Sequence, residues 1–253
     1  MIGHVGAASI VMLRGVSKSY TRGSSATRVV DSVDLEVKRG ECVFLLGPSG
    51  SGKTTLLSII GCVLSPDAGL VHILGHDVSR ISKDRAAELR REKIGFVFQR
   101  FHLIRGLTTA ENVALPLTLN GWKAGDSSRR VAELLAAVDM SDKADVQPQR
   151  LSVGQCQRVA FARALAANPD LILADEPTAS LDATSGHRAM LLLRRLTVDH
   201  GKTVIVVTHD SRILPFADRI LHMENGKLEE QSLEGDATRP GALIDPQKLT
   251  TTV

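Results

Sequence analysis

The feature that most constrains the fold is the stretch Gly-Pro-Ser-Gly-Ser-Gly-Lys-Thr at residues 47–54, which fits the pattern G-x-x-x-x-G-K-T. An apolar run at 42–46 precedes it, and a helix-like run at 55–60 follows it. A strand, a glycine loop and a helix, in that order, form the context that a phosphate-binding loop requires. The sequence therefore predicts a nucleotide-phosphate site at the start of a helix.

The residue types in this stretch suit phosphate chemistry. Glycines let successive backbone N–H groups curl around an anion, and the helix N-terminus adds the positive end of its dipole. Lys53 is expected to neutralise β- and γ-phosphate charge, and Thr54 to offer a hydroxyl to Mg²⁺. The predicted ATP contacts here are Gly47, Pro48, Ser49, Gly50, Ser51, Gly52, Lys53, Thr54 and Thr55.

Composition narrows the class of protein. A length of 253 residues with 43% apolar content suits one large α/β domain. Lys and Arg exceed Asp and Glu only by 31 to 28, and aromatic residues make up 3%, so no nucleic-acid partner is expected. The three cysteines are far apart in sequence and indicate reduced thiols rather than a zinc site or a disulfide framework.

No segment of the sequence is predicted to cross a membrane. No apolar run approaches the roughly 20 residues that span a bilayer. The mildly apolar start lacks the early Lys or Arg of a secretory signal. We therefore expect a cytoplasmic protein whose contact with a membrane depends on another chain.

Hydrophobic patterning predicts strands and helices in alternation. Apolar runs without polar interruption, such as 171–174 and 204–207, are typical of parallel strands covered on both faces. Asn225-Gly226 favours a tight turn within a hairpin at 220–230. Strands are predicted at 9–20 and 29–37, around a loop at 21–25, and at 42–46, 70–74, 94–98, 171–174 and 203–208; helices are predicted at 55–60, 83–92, 109–119, 128–140, 153–167 and 184–199.

The alternation predicts a phosphate-loop NTPase core with a mostly parallel sheet and an N-terminal antiparallel β subdomain. The two amphipathic helices at 109–119 and 128–140 interrupt it, so an α-helical subdomain is expected as an insertion at about 106–165. The ATPase domain is expected to span 9–230. Residues 231–253 lack periodicity and predict a flexible tail.

Two acidic residues follow the apolar run 171–174 directly. Asp175 and Glu176 therefore lie at the C-terminal end of a predicted parallel strand, where open α/β sheets bind ligands. Asp175 is expected to hold Mg²⁺, and Glu176 to polarise an attacking water as a base. The alternative is a solvated strand end, since Asp-Glu-Pro is also common in turns.

A second candidate anion site lies at Leu-Ser-Val-Gly-Gln, residues 151–155. Ser152 and Gln155 have the spacing of a capping box, which predicts a helix start there. Gly154 leaves a bare N–H near that helix end. Taken alone, the pattern is that of an ordinary helix N-terminus, and only its sequence neighbourhood favours an anion site.

Taken in order, the phosphate loop, Gln99, residues 151–155, residues 171–178 (Leu-Ile-Leu-Ala-Asp-Glu-Pro-Thr) and Thr208-His209-Asp210 resemble the nucleotide-binding subunit of an ABC transporter. The resemblance covers roughly residues 10–230. It implies a dimer in which each ATP is held between the phosphate loop of one subunit and the signature motif of the other. Ser152, Val153, Gly154, Gln155 and Asp182 would then contact the nucleotide of the partner subunit.

The resemblance also assigns roles within one subunit. It implies that Tyr20 stacks on adenine, that Gln99 contacts Mg²⁺ and the attacking water, and that His209 contacts the γ-phosphate. The implied Mg²⁺ residues are Thr54, Gln99 and Asp175, and the implied catalytic residues are Glu176, His209 and Gln99. Without the resemblance, Tyr20 is equally a surface aromatic at a strand end and His209 equally a structural histidine.

Within the family, the sequence is most similar to the lipoprotein-releasing, macrolide-export and cell-division ATPases, and it also resembles the cyanobacterial glycolipid-export type. That similarity implies an integral membrane permease contacted around Gln99–Leu107 and, through it, a periplasmic adaptor. The implied location is the inner face of the cell membrane. Val153 departs from the usual signature, where glycine is most common, which puts the efficiency of hydrolysis in question.

Other functions stay open on the sequence alone. An ABC-type ATPase can regulate a non-transport process such as cell-envelope remodelling or cell division. ABC ATPases that act on DNA carry long coiled coils or zinc pairs between their motifs, whereas about fifty residues separate Gln99 from Leu151 here. A small-molecule kinase would not need the signature motif or His209.

Overall fold

Two β-sheets form the scaffold of the protein in a computed structural model that describes residues 9–22 and 25–230. The strands are β1 (Ser9–Arg22), β2 (Ser25–Lys38), β3 (Cys42–Leu46), β4 (Ala68–Ile73), β5 (His76–Asp77), β6 (Ile94–Val97), β7 (Leu171–Asp175), β8 (Thr203–Val207), β9 (Arg219–Glu224) and β10 (Lys227–Glu230). The helices are α1 (Lys53–Ile60), α2 (Lys83–Lys93), α3 (Thr109–Leu119), α4 (Ala124–Ala137), α5 (Val153–Leu165) and α6 (Ala183–His200).

The larger sheet has the strand order β10-β9-β3-β8-β7-β6. All its pairings are parallel except β9 with β10. Its central strands are apolar without alternation because each face packs on a different hydrophobic cluster. In β3, Val43 and Leu45 belong to one cluster, and Cys42 and Phe44 to the other. The predicted parallel core is confirmed.

The smaller sheet is antiparallel and has the order β2-β1-β4-β5. It confirms the predicted N-terminal β subdomain, but the predicted loop at 21–25 is too long. Thr21 pairs with Ala26 and Arg22 with Ser25, so the ladder continues through most of that stretch. This exposed end of the hairpin is held by backbone hydrogen bonds and not by apolar side chains. Hydrophobic patterning therefore does not predict a strand there.

Helices α3, α4 and α5 lie between β6 and β7, within the predicted insertion at 106–165. The helix predicted at 128–140 is displaced: it begins at Ala124 and ends at Ala137. Gly125 and Ser127, in its first turn, are weak helix formers that sequence patterning assigns to a loop. Its end is set by Asp139, which adopts a left-handed φ of 54°, as residues that terminate helices often do.

The other predicted elements agree with the structure to within about two residues at their ends, which is the usual spread of boundary assignment. Asn225 and Gly226 have φ values of 49° and 79°, the positive angles of a tight hairpin turn. The sequence did not reveal β5 or the 3-10 segments at Ser141–Lys143, Pro148–Arg150 and Ser211–Phe216. The predicted tail at 231–253 lies outside the described residues.

Candidate functional site

The C-terminal edge of the parallel sheet brings together the phosphate loop, Gln99, the Asp175–Glu176 pair and His209. Strands β3, β8, β7 and β6 are neighbours, so the residues that follow them meet at a single edge. A cavity of about 580 Å³ opens there, which we call the phosphate-loop cavity. It is lined by Val29, Gly47, Pro48, Ser49, Gly50, Gly52, Lys53, Thr54, Thr55, Gln99, Asp175, Glu176, Val207 and His209.

Two glycines of the loop are required by its backbone. Gly47 has φ 146° and Gly52 has φ 106°, angles that residues with a Cβ rarely adopt. A Cβ on Gly47 would lie 2.1 Å from the carbonyl oxygen of Met223, and one on Gly52 would lie 2.2 Å from that of Val29. The loop is therefore held between the backbones of β9 and β2 in a shape that only glycine permits.

Lys53 is a buried cation inside this loop. Its Nζ donates to the carbonyl oxygens of Gly47 and Pro48, at 2.8 Å each. Burial lowers the pKa of Lys53, and the neighbouring Glu176 and Asp175 oppose that effect. The N-cap residue Gly52 offers no side-chain cap to α1, so the first N–H groups of the helix are left for a ligand. A positive charge and free donors therefore face the same cavity.

Thr54 and Asp175 place two oxygen-bearing side chains, a hydroxyl and a carboxylate, in the same cavity as Lys53. The Thr54 hydroxyl lies 3.2 Å from Asp175 Oδ2 and 3.5 Å from Oδ1. Burial raises the pKa of Asp175, an effect partly offset by the hydrogen bond from Thr54. A hydroxyl, a carboxylate and the amide oxygen of Gln99 are the hard ligands that Mg²⁺ prefers. The three residues predicted to hold the metal thus line one cavity, and their chemistry fits Mg²⁺.

Glu176 and His209 form the second polar pair of the cavity. His209 Nδ1 lies 2.7 Å from Glu176 Oε1. The other carboxylate oxygen, Oε2, is buried and has no hydrogen-bond partner among the described residues. Glu176 also adopts a left-handed φ of 48°, while its N–H donates to the Val207 carbonyl at 2.8 Å. One oxygen of the carboxylate is therefore fixed by His209, and the other is free to accept a hydrogen bond from a ligand or water.

The predicted signature residues lie elsewhere, around a second cavity of about 420 Å³ at the start of α5, which we call the signature cavity. The capping box is confirmed: Gln155 N donates to Ser152 Oγ at 3.2 Å, and Ser152 N donates to Gln155 Oε1 at 2.8 Å. Val153 is the first helical residue and is 51% exposed. It is not among the residues with positive φ, so a valine meets no backbone penalty there.

Gly154 has room for a side chain within its own subunit. A Cβ there would lie 3.8 Å from the Leu181 side chain and 4.0 Å from Ser185 Oγ, both ordinary contacts. Asp182 lines the same cavity and caps α6 through the N–H groups of Thr184 and Ser185, at 3.0 Å each. The two cavities share no lining residue. Nothing in the described chain therefore requires a glycine at 154.

Two predicted contacts do not line the phosphate-loop cavity. Tyr20 pairs with Thr27 in the β1–β2 ladder and is 47% exposed, and its proposed contact with adenine stays a prediction. Ser51, within the loop, is buried, and its carbonyl accepts from the N–H of Gly226 at 3.2 Å. Val29 does line the cavity, and sequence reasoning missed it because an apolar strand residue outside any motif carries no signal.

Comparisons with known proteins agree with this geometry. A family model described as ABC transporter matches residues 30–179. The chain is 45% identical over 231 residues to the uncharacterized ABC transporter ATP-binding protein MJ0796 of Methanocaldococcus jannaschii. That match covers 89% of this chain and 98% of MJ0796. The chain is 44% identical over 220 residues to the macrolide export ATP-binding/permease protein MacB of Salmonella typhimurium. That match covers 87% of this chain but only 34% of MacB.

Solved structures give the same result. A dimeric structure of MJ0796 in a post-hydrolysis state, bound to ADP and Pi, superposes with a TM-score of 0.85 at 43% identity and covers 89% of this chain and all of that one. A structure of cbiO1 from Clostridium perfringens, part of the ABC transporter complex cbiONQ, gives a TM-score of 0.77 at 28% identity and covers 87% of each chain.

Proposed function

This chain belongs to the ABC transporter family and is an ATPase of that family, and we propose that it works as a homodimer that closes around two ATP molecules to drive a membrane subunit. The observation that carries the proposal is the separation of two half-sites on one chain. The phosphate loop, Asp175, Glu176 and His209 share one cavity, whereas Ser152 and Gly154 lie at another. A second copy can bring a signature cavity to each phosphate-loop cavity.

Phosphate binding in this proposal falls to the loop and Lys53. The Lys53 ammonium now donates to two loop carbonyls, and these bonds are replaceable by charge-assisted bonds to phosphate oxygens. Thr54, Asp175 and Gln99 would hold Mg²⁺. When bound, the metal neutralises charge on the phosphate oxygens.

Hydrolysis in this proposal depends on Glu176. Its Oε2, which has no partner in the described part of the chain, accepts a proton from a water whose oxygen attacks the γ-phosphorus. The bond from the γ-phosphorus to the bridging oxygen breaks, and ADP and inorganic phosphate leave. His209, fixed beside Oε1 at 2.7 Å, orients the carboxylate and has its exposed ring close to where the γ-phosphate would lie. The dimeric MJ0796 structure, in a post-hydrolysis state with ADP and Pi, supports ATP hydrolysis by a chain of this fold.

Substituting Lys53 tests the first half of the proposal. Lys53→Ala should abolish tight ATP binding, because each charge-assisted bond to phosphate contributes about 1.5–3 kcal/mol. The measurement is a nucleotide-binding titration beside a thermal-unfolding control. Since Lys53 donates, among the described residues, only to loop carbonyls and Ser51, the variant should remain folded. A folded variant with wild-type affinity for ATP would reject the phosphate-binding role of this loop.

The membrane partner is proposed to contact residues 99–107, which we call the Gln99 loop. Within it Ile104 is 44% exposed and Phe101 is half-buried. Leu103, by contrast, packs on the hydrophobic cluster that contains Phe44. No helix within residues 9–22 and 25–230 combines the length and apolarity that a membrane crossing needs. MacB joins an ATP-binding part and a permease in one protein, which supports a permease partner of the export type and a location at the inner face of the membrane.

Polar substitutions in the Gln99 loop test this contact. Phe101→Ser combined with Ile104→Ser should release a membrane protein that co-purifies with the wild-type chain from solubilised membranes, with ATP affinity unchanged. Val198→Ser, at a 65% exposed site on α6, is the matched control and should retain the partner. Full retention by the double variant would reject the Gln99 loop as the contact surface.

A further inference from the structure

Arg163 lies near the end of α5, away from both cavities. Its guanidinium donates to two backbone carbonyls of the Gln99 loop: Nη1 to His102 and Nη2 to Phe101, at 2.6 Å each. Burial lowers the pKa of Arg163, and among the described residues no carboxylate pairs with it. A partly buried cation held by backbone carbonyls is costly to desolvate, so its contacts with this loop call for an explanation.

The two carbonyls belong to residues in an unusual backbone conformation. Phe101 has φ 56° and His102 has φ 49°, in the left-handed region that residues with a Cβ seldom occupy. Consecutive residues of this kind persist only where the surroundings hold them. Arg163 supplies two charge-assisted bonds at these residues, two and three positions after Gln99.

Helix α5 also contacts the backbone on the other side of Gln99. A Cβ on Gly95 in β6 would lie 2.4 Å from the carbonyl oxygen of Ala164, so strand and helix approach closely. Gln157, a buried residue of α5, donates to the carbonyl of Pro177 at 2.9 Å, directly after Glu176. The helix that begins at the signature cavity thus contacts β6, which leads to Gln99, and Pro177, which follows Glu176.

We propose that Arg163 is a positioning residue that fixes Gln99 relative to Ser152 and Gly154, so that occupancy of one cavity is communicated to the other. Ser152 and Arg163 are eleven residues apart, which is roughly 16 Å along a helix. If the start of α5 moves, the guanidinium of Arg163 moves the Gln99 loop with it, through its two hydrogen bonds to Phe101 and His102. The inference rests on the proposed function, in which both cavities handle ATP.

The first test needs no turnover. Arg163→Gln in the nucleotide-free protein should increase hydrogen–deuterium exchange at the amides of Phe101 and His102 by more than about tenfold, because those residues lose their anchor. Arg130→Gln is the matched control: Arg130 donates to the Leu165 carbonyl at 3.3 Å, also on α5, and does not contact the loop. It should leave these amides unchanged. Unaltered exchange in Arg163→Gln would overturn the inference, whatever the ATPase result.

The second test separates positioning from general stability. Arg163→Gln should lower kcat about tenfold and leave the KM for ATP within about twofold. In a Gln99→Ala background, the same substitution should lower kcat less than about twofold, because the residue it positions is gone. Equal losses in both backgrounds would overturn the proposal. If Arg163→Gln does not fold, Arg163→Lys serves, since a lysine cannot fork to two carbonyls and should give a smaller loss in the same direction.

If the wild-type chain were inactive in this assay, the proposed function would be contradicted. The contact of Arg163 with the Gln99 loop would not be, because the exchange measurement tests it separately. If Arg130→Gln reproduced both the exchange change and the kcat loss, the effect would belong to the end of α5 in general. That outcome would also overturn the assignment to Arg163.

Discussion

Two consecutive carboxylates have different surroundings: Asp175, the last residue of β7, and Glu176, which follows it directly. Asp175 accepts from the Thr54 hydroxyl, and burial raises its pKa. Glu176 contacts His209 through one oxygen and has no partner for the other among the described residues. The first carboxylate therefore suits a metal site, and the second suits proton transfer from water.

This difference predicts the behaviour of Glu176→Gln. The amide keeps the size of the side chain but cannot accept the proton, so turnover should fall by about 10²–10⁴-fold, as is typical for loss of a general base. ATP affinity should be unchanged, because the proposal assigns phosphate binding to the loop and Lys53, and Glu176 to proton transfer. Steady-state phosphate release and a nucleotide titration measure the two quantities. The control is Glu92→Gln, at a surface ion pair with Arg91, which should keep the wild-type rate. If Glu176→Gln also turned over at the wild-type rate, Glu176 would be excluded as the base.

At the scale of elements, the start of α5 connects local sequence to the proposed dimer. Ser152 and Gln155 satisfy each other's backbone N–H groups, so the helix N-terminus is complete within one chain. Gly154, one residue earlier than Gln155, has room for a Cβ at ordinary contact distances and has no positive φ. Any requirement for glycine at this position must then come from outside the subunit.

Substitutions at this helix start should separate folding from function. Gly154→Ala should leave the thermal stability of the monomer unchanged or raise it, since alanine is favoured over glycine in a helix by up to about 1 kcal/mol. Its phosphate release should nonetheless fall at least about tenfold, through loss of close approach to the partner's phosphate. Val153→Gly should change the rate less than about threefold. Wild-type turnover by Gly154→Ala would contradict contact across a dimer, and a large gain from Val153→Gly would mean that valine impairs hydrolysis.

Much of this arrangement could be predicted from the sequence because its signals are local. The phosphate loop needs Gly47 and Gly52 within a few residues, and a capping box needs only Ser152 and Gln155. The helix predicted at 128–140 ends earlier than predicted because Asp139 adopts a left-handed backbone angle that glycine more often adopts. Contacts between distant segments, such as Val29 with the phosphate loop and Arg163 with the Gln99 loop, leave no local pattern and required the fold.

At the scale of the whole molecule, one subunit holds two incomplete sites. The phosphate-loop cavity has Lys53, the predicted metal residues and the proposed base Glu176, but it is not lined by the start of α5. The signature cavity has the start of α5 and Asp182, but none of its described lining residues belongs to the phosphate loop. The cassette of MJ0796 with ADP and Pi is dimeric, and this chain shares its fold over 89% of its length. The proposed function depends on two copies that complete each other's sites.

The most direct measurement of this claim is the mass of Glu176→Gln by light scattering at saturating ATP and Mg²⁺. Because the variant binds ATP without hydrolysing it, we predict a species of twice the mass of one chain, which reverts to the single-chain mass when nucleotide is removed. Adding Gly154→Asp should hold the protein at the single-chain mass in ATP, because a carboxylate beside the partner's phosphate is repulsive. A Glu176→Gln protein that binds ATP and keeps the single-chain mass would contradict the account.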